Sequence, residues 1–231
     1  MARVARIAAA VALALLSFPA WDGGAYSQAT SRTALWRPLS PAEQEQVRRG
    51  DEVALKAPAN AGGNTLSLAK YIGANTGTDL ERVRALYRWI TLNIRYDYEA
   101  YLSGQSRLTN IQPDDVMKFR LTVCDGYARL FEAVGEHLGL AIFRIEGEVL
   151  TPGSRYGPTT GHAWNSVRVG GEWTLMDSTW GAGYIGKKAG EYDRYFMARP
   201  EMLIRSHYPS DPKWQMINPP VTLADFMAQG R

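Results

Sequence analysis

Cysteine and histidine are scarce in this 231-residue chain: one Cys, at position 124, and three His, at 137, 162 and 207. A single thiol cannot close an intrachain disulfide, which removes the disulfide-stapled scaffolds. No second cysteine or histidine pair nearby in the sequence accompanies it, so a zinc site has no support either. Internal repeats and low-complexity tracts are missing. No G-x-S-x-G, complete P-loop or EF-hand pattern occurs, which leaves serine-hydrolase elbows, phosphate cradles and EF-hand calcium without a carrier. After residue 29 no apolar run nears the roughly 20 residues that a spanning helix needs. Charge is almost balanced, at a formal +3 with scattered cations, and this speaks against nucleic acid as a partner.

What is present is the composition of a globular chain: 45% hydrophobic residues, seven Trp and twelve Tyr. The first residues have the pattern of an export signal. Arg3 and Arg6 form a basic start, Ile7 to Phe18 an apolar run, and Ser27-Gln28-Ala29 a small-residue cleavage site. The reading is a signal peptide over 1–29 and a periplasmic or secreted protein with no integral membrane segment after cleavage. An N-terminal arm with short helices over 30–78 and one catalytic domain over 79–231 then follow. In an oxidising compartment an unpaired cysteine is an intermolecular bridge, a reactive thiol or an inert buried residue, and its neighbours must decide.

Thr30 to Pro38 reads as extended. Ser40-Pro41-Ala42-Glu43 is a capping box opening a helix expected to end at Gly50, and Leu66, Ala69 and Ile72 predict a short helix before Gly73. Thr78-Asp79-Leu80-Glu81 opens another helix, with Val83, Leu86, Tyr87, Ile90 and Ile94 on its apolar face. Arg82, Arg84 and Arg88 are read as its solvated face. Cys124 stands at a third start. With Thr122 as N-cap and Tyr127, Leu130, Phe131, Val134 and Leu138 as the apolar stripe, the thiol occupies the second helical position. Unpaired N–H groups and the helix dipole favour a thiolate there.

A nucleophilic cysteine needs a base. His137 lies thirteen residues along the same helix, about 20 Å away at ~1.5 Å per residue. His162 opens HAWNSVRVGGEWTLMDSTW, which reads as a β-hairpin turning at Gly170-Gly171. That turn places Val169 opposite Glu172 and Trp164 opposite Asp177, so His162 and Asp177 are diagonal neighbours on one sheet face. His207, in IRSHYPSDPKW, has no carboxylate at a telling spacing and reads as structural. Gly181 to Gly186 matches G-x-G-x-x-G without a βαβ unit, so it reads as a loop. With Thr151 to Gly161 it flanks the hairpin ends, where both could shape a cleft.

The segments TVCDGYARLF, GHAWNSVRVGGEWTLMDSTWGAG and YFMARPEMLIRSHYPSDPKWQMI resemble the transglutaminase-like superfamily of cysteine enzymes. Within it they resemble the branch that includes kyphoscoliosis peptidase and the cytokinesis-associated transglutaminase-like proteins. The resemblance runs from about Leu80 to Phe226. It implies a Cys-His-Asp triad, here Cys124, His162 and Asp177. It also implies a papain-like α+β fold in which the helix carrying the nucleophile packs on an antiparallel sheet. Asp125 stands where this branch is expected to have Gln, and no Gln or Trp before Cys124 is assignable as an oxyanion side chain, which leaves backbone N–H groups. The expectation is an exported acyl-transfer enzyme, without cofactor or metal, acting on protein or peptide amides by hydrolysis or transamidation. The alternative is a catalytically idle scaffold module of the cell envelope.

Overall fold

The computed structural model describes residues 38–106, 109–151, 159–183 and 191–229. The signal-peptide reading of 1–29, the arm from 30 to 37, most of the 151–161 loop and the end of the glycine motif at Gly186 lie outside the described residues. Among the described residues no helix is long and apolar enough to cross a membrane.

The fold is α+β. Helices α1 (Pro41–Leu55), α2 (Thr65–Asn75) and α3 (Asp79–Asn93) precede a two-residue strand, β1 (Arg95–Tyr96). Short helices α4 (Tyr98–Leu102) and α5 (Pro113–Phe119) follow, then β2 (Leu121–Thr122), parallel to β1, and α6 (Cys124–His137). The main sheet comprises β3 (Ile142–Leu150), β4 (Thr159–Val169), β5 (Glu172–Met176) and β6 (His207–Pro209), all antiparallel in the order β5-β4-β3-β6. The one-turn helix α7 (Ser178–Gly181) leaves β5, and α8 (Pro200–Leu203) and α9 (Leu223–Ala228) complete the chain.

The capping box at Ser40 forms as the sequence predicts, but α1 runs through Gly50 to Leu55. Gly50 is buried because α3 crosses α1 there. A Cβ on Gly50 would stand 2.7 Å from Arg84 Cβ and 2.9 Å from the Glu81 carbonyl. The glycine is thus a contact point between helices and not a stop signal. The helix α2 likewise runs past Gly73 to Asn75. In α3 the apolar face is as read: Val83, Leu86, Tyr87 and Ile90 have no exposure. Burying each such side chain contributes about 1.5–3 kcal/mol, so this face alone anchors the helix. The arginines depart from the reading. Arg82 is partly exposed, but Arg84 keeps 2% of its side-chain surface and Arg88 14%. Arg84 forks onto Asp51 (Nε–Oδ1 2.6 Å, Nη2–Oδ2 2.9 Å), reaches Asp193 at 2.7 Å and lies over the Phe196 ring. A guanidinium can be buried when its donors are met this fully.

Ala54, Leu68, Ala69 and Ile72 belong to the same apolar cluster as Leu86, Phe131 and Met176, so the core continues across the expected 78/79 boundary. On the other side of α6 lies the hairpin. Its turn has positive φ at both Gly170 (60°) and Gly171 (88°), the two-residue geometry that matches strand twist. The ladder runs from Val169↔Glu172 to Asn165↔Met176, which is the register read from the sequence. His162 to Val167 are all buried, as expected of a central strand covered on both faces.

Candidate active site

Three elements converge on the thiol. Thr122 ends β2, and its hydroxyl donates to the Asn110 carbonyl (2.6 Å) instead of capping the helix. Val123, in extended conformation, is the N-cap, and Cys124 is the first helical residue. The Thr122 hydroxyl is committed to Asn110, and Gly126 leaves the room that the Thr122 side chain occupies, since a Cβ there would overlap Thr122 Oγ1 and Cβ. Tyr127, Leu130, Phe131 and Val134 anchor α6 as read, and Asn165 Nδ2 donates to the Ala128 carbonyl (3.1 Å), tying the helix to β4. The first N–H groups of α6 have no partner within the helix, and Cys124, a free and half-buried cysteine, is its first residue.

The Cys124 thiol lies beside the His162 ring and the Ala163 backbone, and both act on it. Burial opposes the thiolate, but the His162 charge, its hydrogen bond and the Ala163 N–H outweigh burial and hold the thiol below its ordinary value. The His162 Nε2 meets Asp177 Oδ2 at 2.8 Å. That leaves Nδ1 as the ring nitrogen for the sulfur. Burial disfavours charge on His162 too, yet Asp177 and the Cys124 thiolate prevail and push its pKa up to about 10. Cys124, His162 and Asp177, the three residues singled out in the sequence, are thus brought together.

Asp177 has no exposure and caps α7. Its Oδ1 accepts from Thr179 N (2.8 Å) and Trp180 N (3.0 Å). Against the burial penalty, His162 and His207 hold its carboxyl well below the usual range. His207 corrects the sequence reading. The carboxylate partner that its spacing did not reveal is Asp177 itself, whose Oδ2 lies 3.0 Å from His207 Nε2. The residue comes from β6, a three-residue edge strand ending in Pro, which has no strand signature. The strand docks because Gly147 of β3, opposite Pro209, has no Cβ to meet the Tyr208 carbonyl.

A family model, the transglutaminase-like superfamily, matches residues 66–178, a span that holds the cysteine, the histidine and the aspartate in this geometry. The chain carries a transglutaminase-like domain. Kyphoscoliosis peptidase of Mus musculus is 35% identical over 158 residues, covering 64% of this chain and 24% of that protein. Hillarin of Drosophila melanogaster is 26% identical over 209 residues, 80% of this chain and 24% of its own length. The chain therefore spans about a quarter of the length of these curated relatives. A crystal structure of a TGase is 17% identical with a TM-score of 0.38, covering 73% of this chain and 41% of that one.

The transglutaminase-like domain also places donor atoms of His162, Asp177 and His207 within 4.8 Å of one another, the spacing of a metal site and a histidine pair that the sequence did not suggest. The donors do not suit a resident ion. Both carboxylate oxygens already accept two N–H groups each, so a cation would face imidazole protons instead of lone pairs. Asp125, the departure noted beside Cys124, is held by Arg129 Nε (2.9 Å) and Arg144 Nη1 (2.8 Å), so its charge is compensated next to the thiolate.

Proposed function

We propose that this chain is an exported cysteine enzyme that transfers acyl groups from protein or peptide amides. The observation that carries the proposal is an imidazole fixed through Nε2 on a buried carboxylate, with its charge acting on the Cys124 thiol at the start of α6. The Cys124 thiolate attacks the amide carbonyl carbon, and the oxyanion forms beside the free N–H groups at the start of α6. As the C–N bond breaks, His162 gives its Nδ1 proton to the departing amine, leaving a thioester on Cys124. Neutral His162 then takes a proton from water or from an acceptor amine, which attacks the thioester and frees the thiolate. Water makes the enzyme a peptidase, and an amine makes it a transglutaminase. The export part of the proposal rests on the basic and apolar pattern before Ala29.

The test is alkylation of Cys124 by iodoacetamide against pH, with mass spectrometry of casein-derived peptides to detect hydrolysis or amine incorporation. The expected midpoint lies below the ordinary thiol value of about 8.5, and Cys124→Ala ends all turnover while the protein stays folded. A midpoint near 8.5 with no turnover would turn the reading to an idle, transglutaminase-like scaffold.

A further inference from the structure

The chemistry above uses one imidazole, yet a second is buried against the same carboxylate oxygen. Four donors converge on Asp177: two backbone N–H groups on Oδ1, and His162 and His207 on Oδ2. A carboxylate accepts about four hydrogen bonds, so this one is filled. The state of His207 follows from its neighbours. Its Nε2 must carry a proton to donate to Asp177, and its Nδ1 lies 2.8 Å from Ser206 Oγ, a hydroxyl that also faces the Leu203 carbonyl (3.4 Å). Burial favours the neutral ring.

We propose that His207 is a positioning residue. Its Nε2–H fixes the Asp177 carboxylate so that Oδ2 stays on His162, and His162 in turn keeps Nδ1 on the Cys124 sulfur. The inference rests on the acyl-transfer reading of this site. Without that donor, Oδ2 keeps a buried lone pair unmet, and the carboxylate is free to turn toward any group or water that would meet it. His207 also packs edge-on against Trp180 (4.5 Å between centroids) and Trp164 (5.2 Å), so a donor role must be separated from a packing role.

Two substitutions separate them. His207→Phe keeps an aromatic ring and removes the N–H, while His207→Gln keeps a side-chain N–H and removes the ring. The measurement is the iodoacetamide rate at Cys124 against pH on the full chain, beside a thermal melt. The titratable groups around the two histidines are Cys124 and Asp177, with the phenols of Tyr87 and Tyr127 acting on Asp177, Tyr96 on Cys124, and Tyr195 against the His207 ring. Burial keeps the first three phenols protonated well past neutrality. The donor role predicts that His207→Phe melts near the wild type but alkylates at least about fivefold more slowly near pH 6.5, its midpoint moving toward the free-thiol value of about 8.5. The Gln variant should stay within about twofold of the wild type. A Phe profile that overlays the wild type, or a Gln variant that falls as far as Phe, overturns the inference. A wild-type midpoint near 8.5 would instead remove the acyl-transfer reading and the inference with it. If both variants unfold, histidine ¹⁵N spectra of the unaltered protein decide: at about pH 7 His207 should carry a proton on Nε2, and a neutral Nδ1–H ring, which has no Nε2 proton to donate, overturns the proposal.

Discussion

Replacing Asp177 with Asn exchanges one carboxylate oxygen for an NH2 group and should invert the proton layout of the whole site. The new amide oxygen can still accept from Thr179 N and Trp180 N, since these bind Oδ1. The amide nitrogen then faces His162 Nε2 and His207 Nε2 with two protons of its own. Both rings must give up the Nε2 proton and carry it on Nδ1. For His207 this is harmless, because Ser206 Oγ accepts it. For His162 it places an N–H where a lone pair must receive the proton of water or amine. Every buried polar group keeps a partner, so the variant should fold. The charge effect is large. Raising His162 from about 6.5 to about 10 corresponds to roughly 5 kcal/mol at ~1.4 kcal/mol per tenfold, shared by Asp177 and the thiolate. With the carboxylate gone, the ring returns to its ordinary value or below, and Cys124 becomes an ordinary thiol, about 1% ionised near pH 6.5. Each unit of higher thiol pKa makes the remaining thiolate about threefold more nucleophilic, so alkylation should slow by about tenfold instead of a hundredfold. Turnover should fall further, by about 10²–10⁴, because a serine-enzyme triad loses about 10⁴ from the same change and a thiolate needs less help. Iodoacetamide kinetics and a thermal melt test this together. An unchanged alkylation midpoint, or an unfolded variant, would refute the tautomer argument.

The pH dependence has a sign for each limb. His162 is raised, so its charged partnership is intact at neutral pH and is lost as pH climbs through about 10. Turnover should therefore fall above about pH 10 while alkylation, which needs only the thiolate, does not. Asp177 is lowered, so its contribution to stability is present above about pH 4 and is lost on acidification. Its folded-state contribution predicts a melting temperature that drops below that pH. Away from the site, Arg84→Ala should cost about 2–3 kcal/mol, below the 3–5 of a fully buried broken pair because Asp51 and Asp193 retain exposure. At about 2–4 °C per kcal/mol, calorimetry should see a loss of roughly 5–10 °C, and no loss would put Arg84 back on a solvated face.

How much of this was legible in the sequence depended on whether the determinant was local. The hairpin register followed from two glycines and the strand period, because a one-residue slip would turn His162 and Asp177 to opposite faces of the sheet. The cysteine at a helix start followed from the stripe behind it. What failed was long-range. Gly50 looks like a helix stop until α3 is seen to cross it, and Arg84 looks solvated until Asp51, 33 residues away, is found against it. Thr122 has the chemistry of a cap, but its hydroxyl is taken by Asn110. His207 was hidden because an edge strand of three residues carries no periodicity, and its partner lies 30 residues upstream.

The docking of β6 has a consequence for how this domain can be cut or borrowed. The matched segment ends at residue 178, one position after Asp177. A fragment with those borders would hold the nucleophile, the base and the carboxylate. It would lack Thr179 N and Trp180 N on Oδ1 and His207 on Oδ2. It would also strip β6 from β3 and leave the backbone of residues 147–149 as a bare sheet edge, an invitation to pair with another copy. The transplantable unit therefore extends past the reacting residues to at least Pro209, and a graft that stops earlier would move the chemistry without its clamp.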